Sequence, residues 1–222
     1  SGTAIVLAGP HGVGKRWLAE HTVQQHECTR MPDLTLGRGT GVDTLLARLA
    51  IMAQVKGDDR LHTVLSSKDK RPTPTEMAEL VIDLLNQDAM SDVVWMIHGL
   101  SGLMHRRAPS FQSAGRLEVL LSAILRAETK ATIIFTTVTV PETYQAGGSS
   151  LRVLNLEGLE GKTLHSLFEA HHTPECDRDR FGPIAERTHG HPLAVRYMAL
   201  TAKAEGDLEE LLEQNRFLKL ND

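Results

Sequence analysis

The sequence lacks the features that would indicate a secreted or membrane-bound protein. It has only two cysteines, Cys28 and Cys176, which allow one disulfide bond but form no disulfide framework, so a reducing compartment is favoured. No apolar run approaches the roughly 18 residues that a membrane span requires. The first apolar run has no basic region before it, and glycine-rich turn residues follow it at once, unlike a signal peptide. We therefore expect a cytoplasmic protein without a membrane span.

Basic residues and the motifs of metal-binding or hydrolytic proteins are also scarce. The 24 lysines and arginines are outnumbered by 28 aspartates and glutamates, giving a net charge of −4, so nucleic acid is not an expected partner. The 11 histidines do not show the paired ligand spacing of a structural zinc site. No G-x-S-x-G nucleophile elbow occurs. The sequence thus predicts neither metal ligands nor catalytic residues.

The larger, N-terminal part of the chain alternates apolar strands with amphipathic helices. Strands are predicted at residues 3–8, 92–98, 131–138 and 151–156, and helices at 17–25, Val42–Val55, 75–87 and 115–127. Loops are predicted at 56–75, around a short strand at 62–65, and at 99–113. This alternation is typical of an α/β fold, with a parallel sheet and helices on both faces.

The C-terminal part has only helical patterns. They cover residues 161–171, 179–188, 192–204 and 208–214. We therefore predict an α/β domain at residues 1–156 and a small all-helical domain at 157–222. A chain of 222 residues is long enough for this division. Because the chain begins with Ser1, directly before an apolar run, we expect it to be a piece of a longer protein.

Residues 9–17, GPHGVGKRW, follow the first strand and open the first helix, as a phosphate-binding loop does. Glycines let backbone N–H groups turn inward around an anion, and the following helix points the positive end of its dipole to the same place. Lys15 supplies a cation for the β- and γ-phosphates of a nucleotide. The predicted nucleotide contacts in this segment are Gly9, Pro10, His11, Gly12, Val13, Gly14, Lys15, Arg16 and Trp17.

Two positions that would hold magnesium lack the required side chains. Arg16 stands where a serine or threonine hydroxyl would ligate the ion, and its guanidinium either contributes charge at the phosphates or points to solvent. The second strand ends in His98 instead of an acid, and Asp92 begins that strand about 20 Å away at roughly 3.3 Å per residue. His98 is either a weak base or nucleotide contact, or a strand-end histidine paired with backbone. The sequence allows nucleotide binding but argues against efficient hydrolysis.

Four segments, in this order, resemble the STAND class of P-loop NTPases, the nucleotide switches of NB-ARC and NACHT signalling proteins and relatives of AAA+ ATPases. They are GPHGVGKR, VVWMIHGL at the Walker B strand, ATIIFTTVTVPE at the sensor strand, and AERTHGHPLAVRYMA, which is similar to the GLPLA-type motif. The resemblance implies a P-loop NTPase core with degenerate Walker A and Walker B motifs. It also implies that residues 1–156 are the nucleotide-binding domain and that 157–222 are a helical lid.

The resemblance suggests further nucleotide contacts outside the loop. Thr136 or Thr137 would sense the γ-phosphate, although Val138 replaces the arginine that usually follows these threonines. Pro192, in the GHPLA turn, would pack near the adenine. Arg196, one turn into the following helix, either reaches phosphate or is a solvated helix charge.

The resemblance implies a regulatory module that binds ATP or ADP, with magnesium weakly bound or absent and at most a weak ATPase activity. Its partners would be the other domains of a larger signalling or assembly protein, together with further copies of itself. Two alternatives stay open. One is a pseudo-NTPase scaffold that binds no nucleotide and mediates protein–protein contacts. The other is an AAA+-like ATPase that acts on nucleic acid or a partner as an oligomer.

Overall fold

The computed structural model describes residues 4–37, 40–67, 72–105, 108–111, 115–140, 151–171 and 178–201. Its strands are β1 (Ala4–Ala8), β2 (Thr29–Arg30), β3 (Leu34–Thr35), β4 (Val93–His98), β5 (Met104–His105), β6 (Ala108–Phe111), β7 (Thr132–Thr137) and β8 (Leu151–Asn155). Its α-helices are α1 (Lys15–Gln24), α2 (Val42–Val55), α3 (Arg60–Ser66), α4 (Pro74–Leu85), α5 (Arg116–Arg126), α6 (Gly161–Glu169), α7 (Arg178–Thr188) and α8 (Pro192–Thr201).

The chain folds as two compact units. The first comprises the residues up to 8 together with 16–154, and the second comprises 9–15 together with the residues from 155 onward. The loop after β1 therefore belongs to the same unit as the C-terminal helices.

A sheet of order β2–β4–β7–β1–β8 forms the centre of the first unit, with β3 also beside β4. The pairs between β1 and β7, β4 and β7, β2 and β4, and β3 and β4 are all parallel. Strands β2 and β3 pair with successive parts of β4, since Thr29 lies opposite Val93 and Leu34 lies opposite Ile97. The segment between β2 and β3 therefore runs alongside β4.

Helices cover both faces of this sheet, as predicted. The row formed by Val6, Phe135 and Ile97 packs into the core that includes α2, α4 and α5. The adjacent row, with Ile134 and Met96, packs on the opposite face against α1. Because successive strand residues point to opposite faces and both faces are covered, these strands appear in the sequence as continuous apolar runs.

The four longer predicted strands and the helix at Val42–Val55 are confirmed. The helix predicted at 75–87 begins earlier, at Pro74, because Thr73 caps it. The Thr73 side chain accepts a hydrogen bond from Glu76 N, and Thr73 N donates to Glu76 Oε2. Proline fits the first helical position, where its missing N–H group is not needed.

Two loop predictions were wrong. Residues 62–65 belong to helix α3 and not to a strand, and the inward-facing side chains are Leu61 and Val64, spaced for one face of a helix. Residues 99–113 contain a 3₁₀ turn at Leu100–Leu103 and the antiparallel pair β5–β6. Both segments are too short for hydrophobic periodicity to identify their structure.

The second unit has a small apolar core between α6, α7 and α8. It includes Leu164, Phe168, Ile184, Val195 and Met198. The predicted helix at 208–214 lies outside the described residues. In the part of the chain that the structure describes, none of the helices has both the length and the apolar composition of a membrane span. Cys28, in the first unit, is a free thiol, and Cys176 lies outside the described residues.

Candidate functional site

The loop at residues 9–15 has the backbone form of an anion-binding segment. Gly12 and Gly14 have φ values of +82° and +99°, a left-handed region that residues with side chains rarely adopt. Within the described part of the chain, the backbone N–H groups of His11, Gly12 and Gly14 donate to no other atom. Unpaired N–H groups in a loop of this kind, directly before a helix, are suited to an anion such as phosphate.

Lys15 folds back over the same loop. Its Nζ donates to Gly9 O at 2.6 Å and to Pro10 O at 2.7 Å. Partial burial lowers the pKa of the Lys15 ammonium. The cation is therefore held within the loop, with one of its three N–H bonds left for a ligand.

The turn before α8 contacts this loop through His191. The imidazole is 8% exposed, its Nε2 donates to His11 O at 2.5 Å, and its Nδ1 accepts a hydrogen bond from Ala194 N at 3.3 Å. The second bond is the one that an N-cap side chain makes to a helix. Together the two bonds require a neutral imidazole with its proton on Nε2. The sequence assigned no role to His191, although this residue is part of the GHPLA turn.

Gly12 packs directly against the first turn of α8. A Cβ atom at Gly12 would lie 2.7 Å from Leu193 Cβ and 2.9 Å from His191 Cε1. At Gly14, by contrast, an added Cβ would meet nothing within 4 Å. The loop is therefore closed on the side of Gly12 and open at Gly14.

Three further predicted nucleotide contacts lie in the second unit: Val13, Pro192 and Arg196. Val13 is buried, and its N–H donates to Pro10 O at 3.4 Å. Pro192 is the first residue of α8 and is half-buried, and Arg196 is exposed one turn further along the helix. Of the GHPLA residues, His191 donates a hydrogen bond to the loop, and Leu193 lies directly against Gly12.

In the first unit, a group of side chains gathers around the end of β4. We call it the strand-end cluster, and its members are Arg16, Glu20, Arg30, Asp33, His98 and Thr136. His98 is buried, with Nδ1 3.1 Å from Thr136 Oγ1 and Nε2 3.3 Å from Asp33 Oδ2. Thr137 makes a different contact, because its hydroxyl donates to Thr139 O at 2.7 Å. His98 is thus paired with side chains, and not with backbone as one sequence-based interpretation had it.

Arg16 joins the strand-end cluster through ion pairs, although its side chain is 63% exposed. Its Nε donates to Glu20 Oε1 at 2.8 Å, and a terminal nitrogen lies 3.5 Å from Asp33 Oδ2. The hydrogen bond to Glu20, together with the charges of Glu20 and Asp33, raises the pKa of Arg16. Arg30 contacts the same Asp33 oxygen at 3.0 Å and Glu20 at 3.8 Å. Two guanidiniums and two carboxylates therefore alternate beside His98.

Trp17 lies on an exposed part of α1. Its side chain is 65% exposed and stacks on His21, with ring centroids 4.8 Å apart and planes 8° from parallel. Stacked rings of this kind present an aromatic face to solvent.

Asp92 has a structural role at the start of β4. It accepts hydrogen bonds from Lys56 Nζ at 2.7 Å and from the Thr29 hydroxyl at 2.5 Å. These two hydrogen bonds lower the pKa of Asp92. Among the residues that the structure describes, no group of three or more His, Cys, Asp or Glu side chains is arranged to hold a metal ion.

Sequence reasoning missed Asp33. It follows Met31 and Pro32 in the segment between β2 and β3, two strands of two residues each, which are too short to produce a strand pattern. The proline was the available signal, because proline interrupts a strand and marks a place where side chains can be redirected. Asp33 supplies a carboxylate near the end of β4, where the strand itself provides none.

The parallel sheet, the covering helices and the glycine loop after β1 together define a P-loop NTPase-like α/β fold. Among solved structures, the chain is similar to a STAND (Signal Transduction ATPase with Numerous Domains) protein with a tetratricopeptide repeat sensor from Pyrococcus horikoshii. The TM-score is 0.62 at 17% sequence identity, over 96% of this chain and 30% of that chain. No protein-family model and no curated protein matches the sequence. The similarity therefore establishes the fold, and the chain spans less than a third of that relative's length.

Proposed function

We propose that this chain is a regulatory nucleotide-binding module that takes ATP or ADP on the loop at residues 9–15. The observation that carries the proposal is the loop itself. It combines N–H groups that have no partner among the described residues with a partly buried lysine ammonium, in the unit that also contains α8. Donors of both kinds are those that phosphate groups require. The similarity of the fold to a STAND ATPase supports the same function.

Binding is expected to be independent of magnesium, with hydrolysis weak or absent. Arg16 occupies the position of the hydroxyl that would ligate the ion, and it brings a permanent positive charge instead. The carboxylate of Asp33 is already engaged by Arg16, Arg30 and His98. An acid with three such partners is poorly suited to ligate a metal or to orient an attacking water.

The module would act within a larger signalling or assembly protein of the STAND type, in the cell interior. The solved relative carries a tetratricopeptide repeat sensor, and this chain corresponds to 30% of it. Other domains of a parent protein, and further copies of the chain, are therefore the proposed partners. The helices of the second unit would act as a lid whose contacts differ between nucleotide states, as NB-ARC and NACHT switches require.

Calorimetric titration with ATP and with ADP, each with and without Mg²⁺, tests this function. Lys15→Ala is the test variant and Lys162→Ala the matched control, since Lys162 is an exposed lysine on α6. We expect micromolar binding that Mg²⁺ does not change, that Lys15→Ala abolishes, and that the control retains. Binding that requires Mg²⁺ would contradict the metal-independent part of the proposal.

A scaffold without nucleotide is the second candidate. The Lys15 ammonium already has two carbonyl partners within its own loop, so the loop is partly satisfied without a ligand. A folded protein that binds neither ATP nor ADP in the titration would favour this function. Measurable turnover that rises with oligomerisation would instead favour an ATPase.

A further inference from the structure

We propose that His191 is a positioning residue that holds the phosphate loop in its anion-binding form and couples that loop to α8. The inference rests on the proposed nucleotide-binding function and adds to it the residue that links loop and helix. Pro192, the sequence-based candidate, is the next residue in the chain, and the hydrogen bond to the loop comes from His191.

His191 joins two segments that are 180 residues apart in the sequence. Both ring nitrogens are used, one by a loop carbonyl and one by the N–H of Ala194 in the first turn of α8. The ring is buried, so each bond would leave an unsatisfied polar group if it were broken. The imidazole is therefore a fixed bridge between the helix and the loop.

This bridge sets the direction of one loop peptide. In a trans peptide the C=O and the following N–H point in opposite directions, and the chain has no cis peptide bond among the described residues. Because His191 holds His11 O, the N–H of Gly12 must point away from His191. That N–H has no partner in the described residues, so it stays available to an anion.

The loop cannot move independently of α8 either. Gly12 lies so close to Leu193 and His191 that even a methyl group would overlap with them. A ligand that shifts the loop therefore shifts the start of α8, and anything that moves α8 alters the loop. Coupling of this kind is reciprocal, so nucleotide should stabilise α8 by the same factor by which α8 favours nucleotide.

Two substitutions separate the bond to the loop from the capping of the helix. His191→Asn keeps an oxygen that can accept from Ala194 N, because asparagine is a good N-cap, but its side chain is too short to reach His11 O. His191→Gln places an amide N–H at about the reach of imidazole Nε2 and restores the bond to the loop. Comparing the two variants therefore separates the effect of the bond to the loop from the effect of the bond that caps α8.

We expect His191→Asn to raise the Kd for ATP and ADP by about three- to tenfold, the value of one hydrogen bond. Its melting temperature should be no lower than that of His191→Gln, which loses the bond from Ala194 N instead. His191→Gln should return the Kd to within about twofold of wild type. Hydrogen exchange should show that nucleotide protects α8 in the wild type and in His191→Gln, but not in His191→Asn. Equal affinity in all three proteins would overturn the inference.

Exchange of the loop amides without nucleotide keeps the test independent of the proposed function. If no protein binds nucleotide, the nucleotide-binding function fails, and the inference is then judged on residues 9–15 alone. Faster exchange there in His191→Asn than in wild type and His191→Gln would support the positioning role. The same exchange in all three would overturn it.

Discussion

Asp33 and His98 are 65 residues apart in sequence, yet Asp33 Oδ2 lies 3.3 Å from His98 Nε2 at the end of β4. The contact arises because β2 and β3 pair with successive parts of β4, so the segment between them lies beside that strand. A carboxylate is thus present at the end of β4, although the strand itself ends in a histidine. It differs from a metal-holding acid because two guanidiniums already contact the same oxygen.

The pairing of Arg16 with Asp33 predicts how a metal requirement can be restored. Arg16→Thr supplies the missing hydroxyl and removes one of the cations from Asp33. Without Mg²⁺ the variant should bind ATP about tenfold more weakly, because a charged hydrogen-bond donor is lost. With Mg²⁺ its affinity should recover, whereas the wild type should not respond to the ion. Calorimetry with and without Mg²⁺ measures both effects.

Arg152→Thr is the matched control for that experiment. Arg152 lies exposed on β8, so the same change there should leave the affinity and the absence of a Mg²⁺ response as they are. If Arg16→Thr binds as the wild type does under both conditions, Arg16 contributes nothing at the phosphates and does not stand in for the metal.

The two loop glycines provide a second prediction, on stability. Alanine at either position should cost about 1–2 kcal/mol, because both residues have a left-handed backbone. Gly12→Ala must also displace Leu193 and His191, which adds about 1–3 kcal/mol of overpacking. Gly14→Ala has open space around the new methyl group and serves as the control. Thermal and urea unfolding should therefore show a clearly lower stability for Gly12→Ala than for Gly14→Ala. If the two variants lose the same free energy of unfolding, the first turn of α8 moves away from the new methyl group without a loss of stability.

The sequence predicted the parts of the molecule that local patterns encode. Strands such as β1 and β7 are buried on both faces and therefore appear as apolar runs. The loop after β1 has the glycine spacing of a phosphate-binding loop, and two of these glycines have a left-handed backbone. It did not predict Asp33, because β2 and β3 have two residues each and leave no pattern. Nor did it predict the contact of His191 with the loop, because no local pattern encodes a bond across 180 residues.

The helix predicted at 75–87 begins at Pro74, after its cap Thr73, and this capping role can be tested. Thr73→Ala removes the side-chain acceptor for Glu76 N and should destabilise the protein by about 1 kcal/mol. Thr75→Ala, in the first turn of the same helix, changes an exposed threonine without a capping role and should stay within about 0.5 kcal/mol of wild type. Chemical denaturation of both variants measures the difference. A loss of the same size in Thr75→Ala would contradict the capping role of Thr73.

Asp58 predicts a pH-dependent contribution to stability. Its carboxylate accepts hydrogen bonds from Arg60 Nε at 2.9 Å, from Gln87 Nε2 at 2.6 Å and from Arg60 N at 2.9 Å. Chiefly through the side chain of Arg60, these bonds lower the pKa of Asp58 from 3.8 to about 2. Because the folded protein favours the charged carboxylate, the stabilisation is present above the ordinary pKa and is lost as the pH falls toward the folded value.

Asp58→Asn should therefore be less stable than the wild type by about 1 kcal/mol at pH 7, a value kept small because the ion pair is partly solvated. The difference should shrink between about pH 4 and pH 2, since the wild-type carboxylate becomes protonated in that range. Asp59→Asn is the control, because the carboxylate of Asp59 is exposed and accepts no hydrogen bond from the described residues. Urea unfolding at a series of pH values measures the two differences. A gap between Asp58→Asn and the wild type that stays constant down to pH 2 would mean that the hydrogen bonds at Asp58 do not depend on its charge.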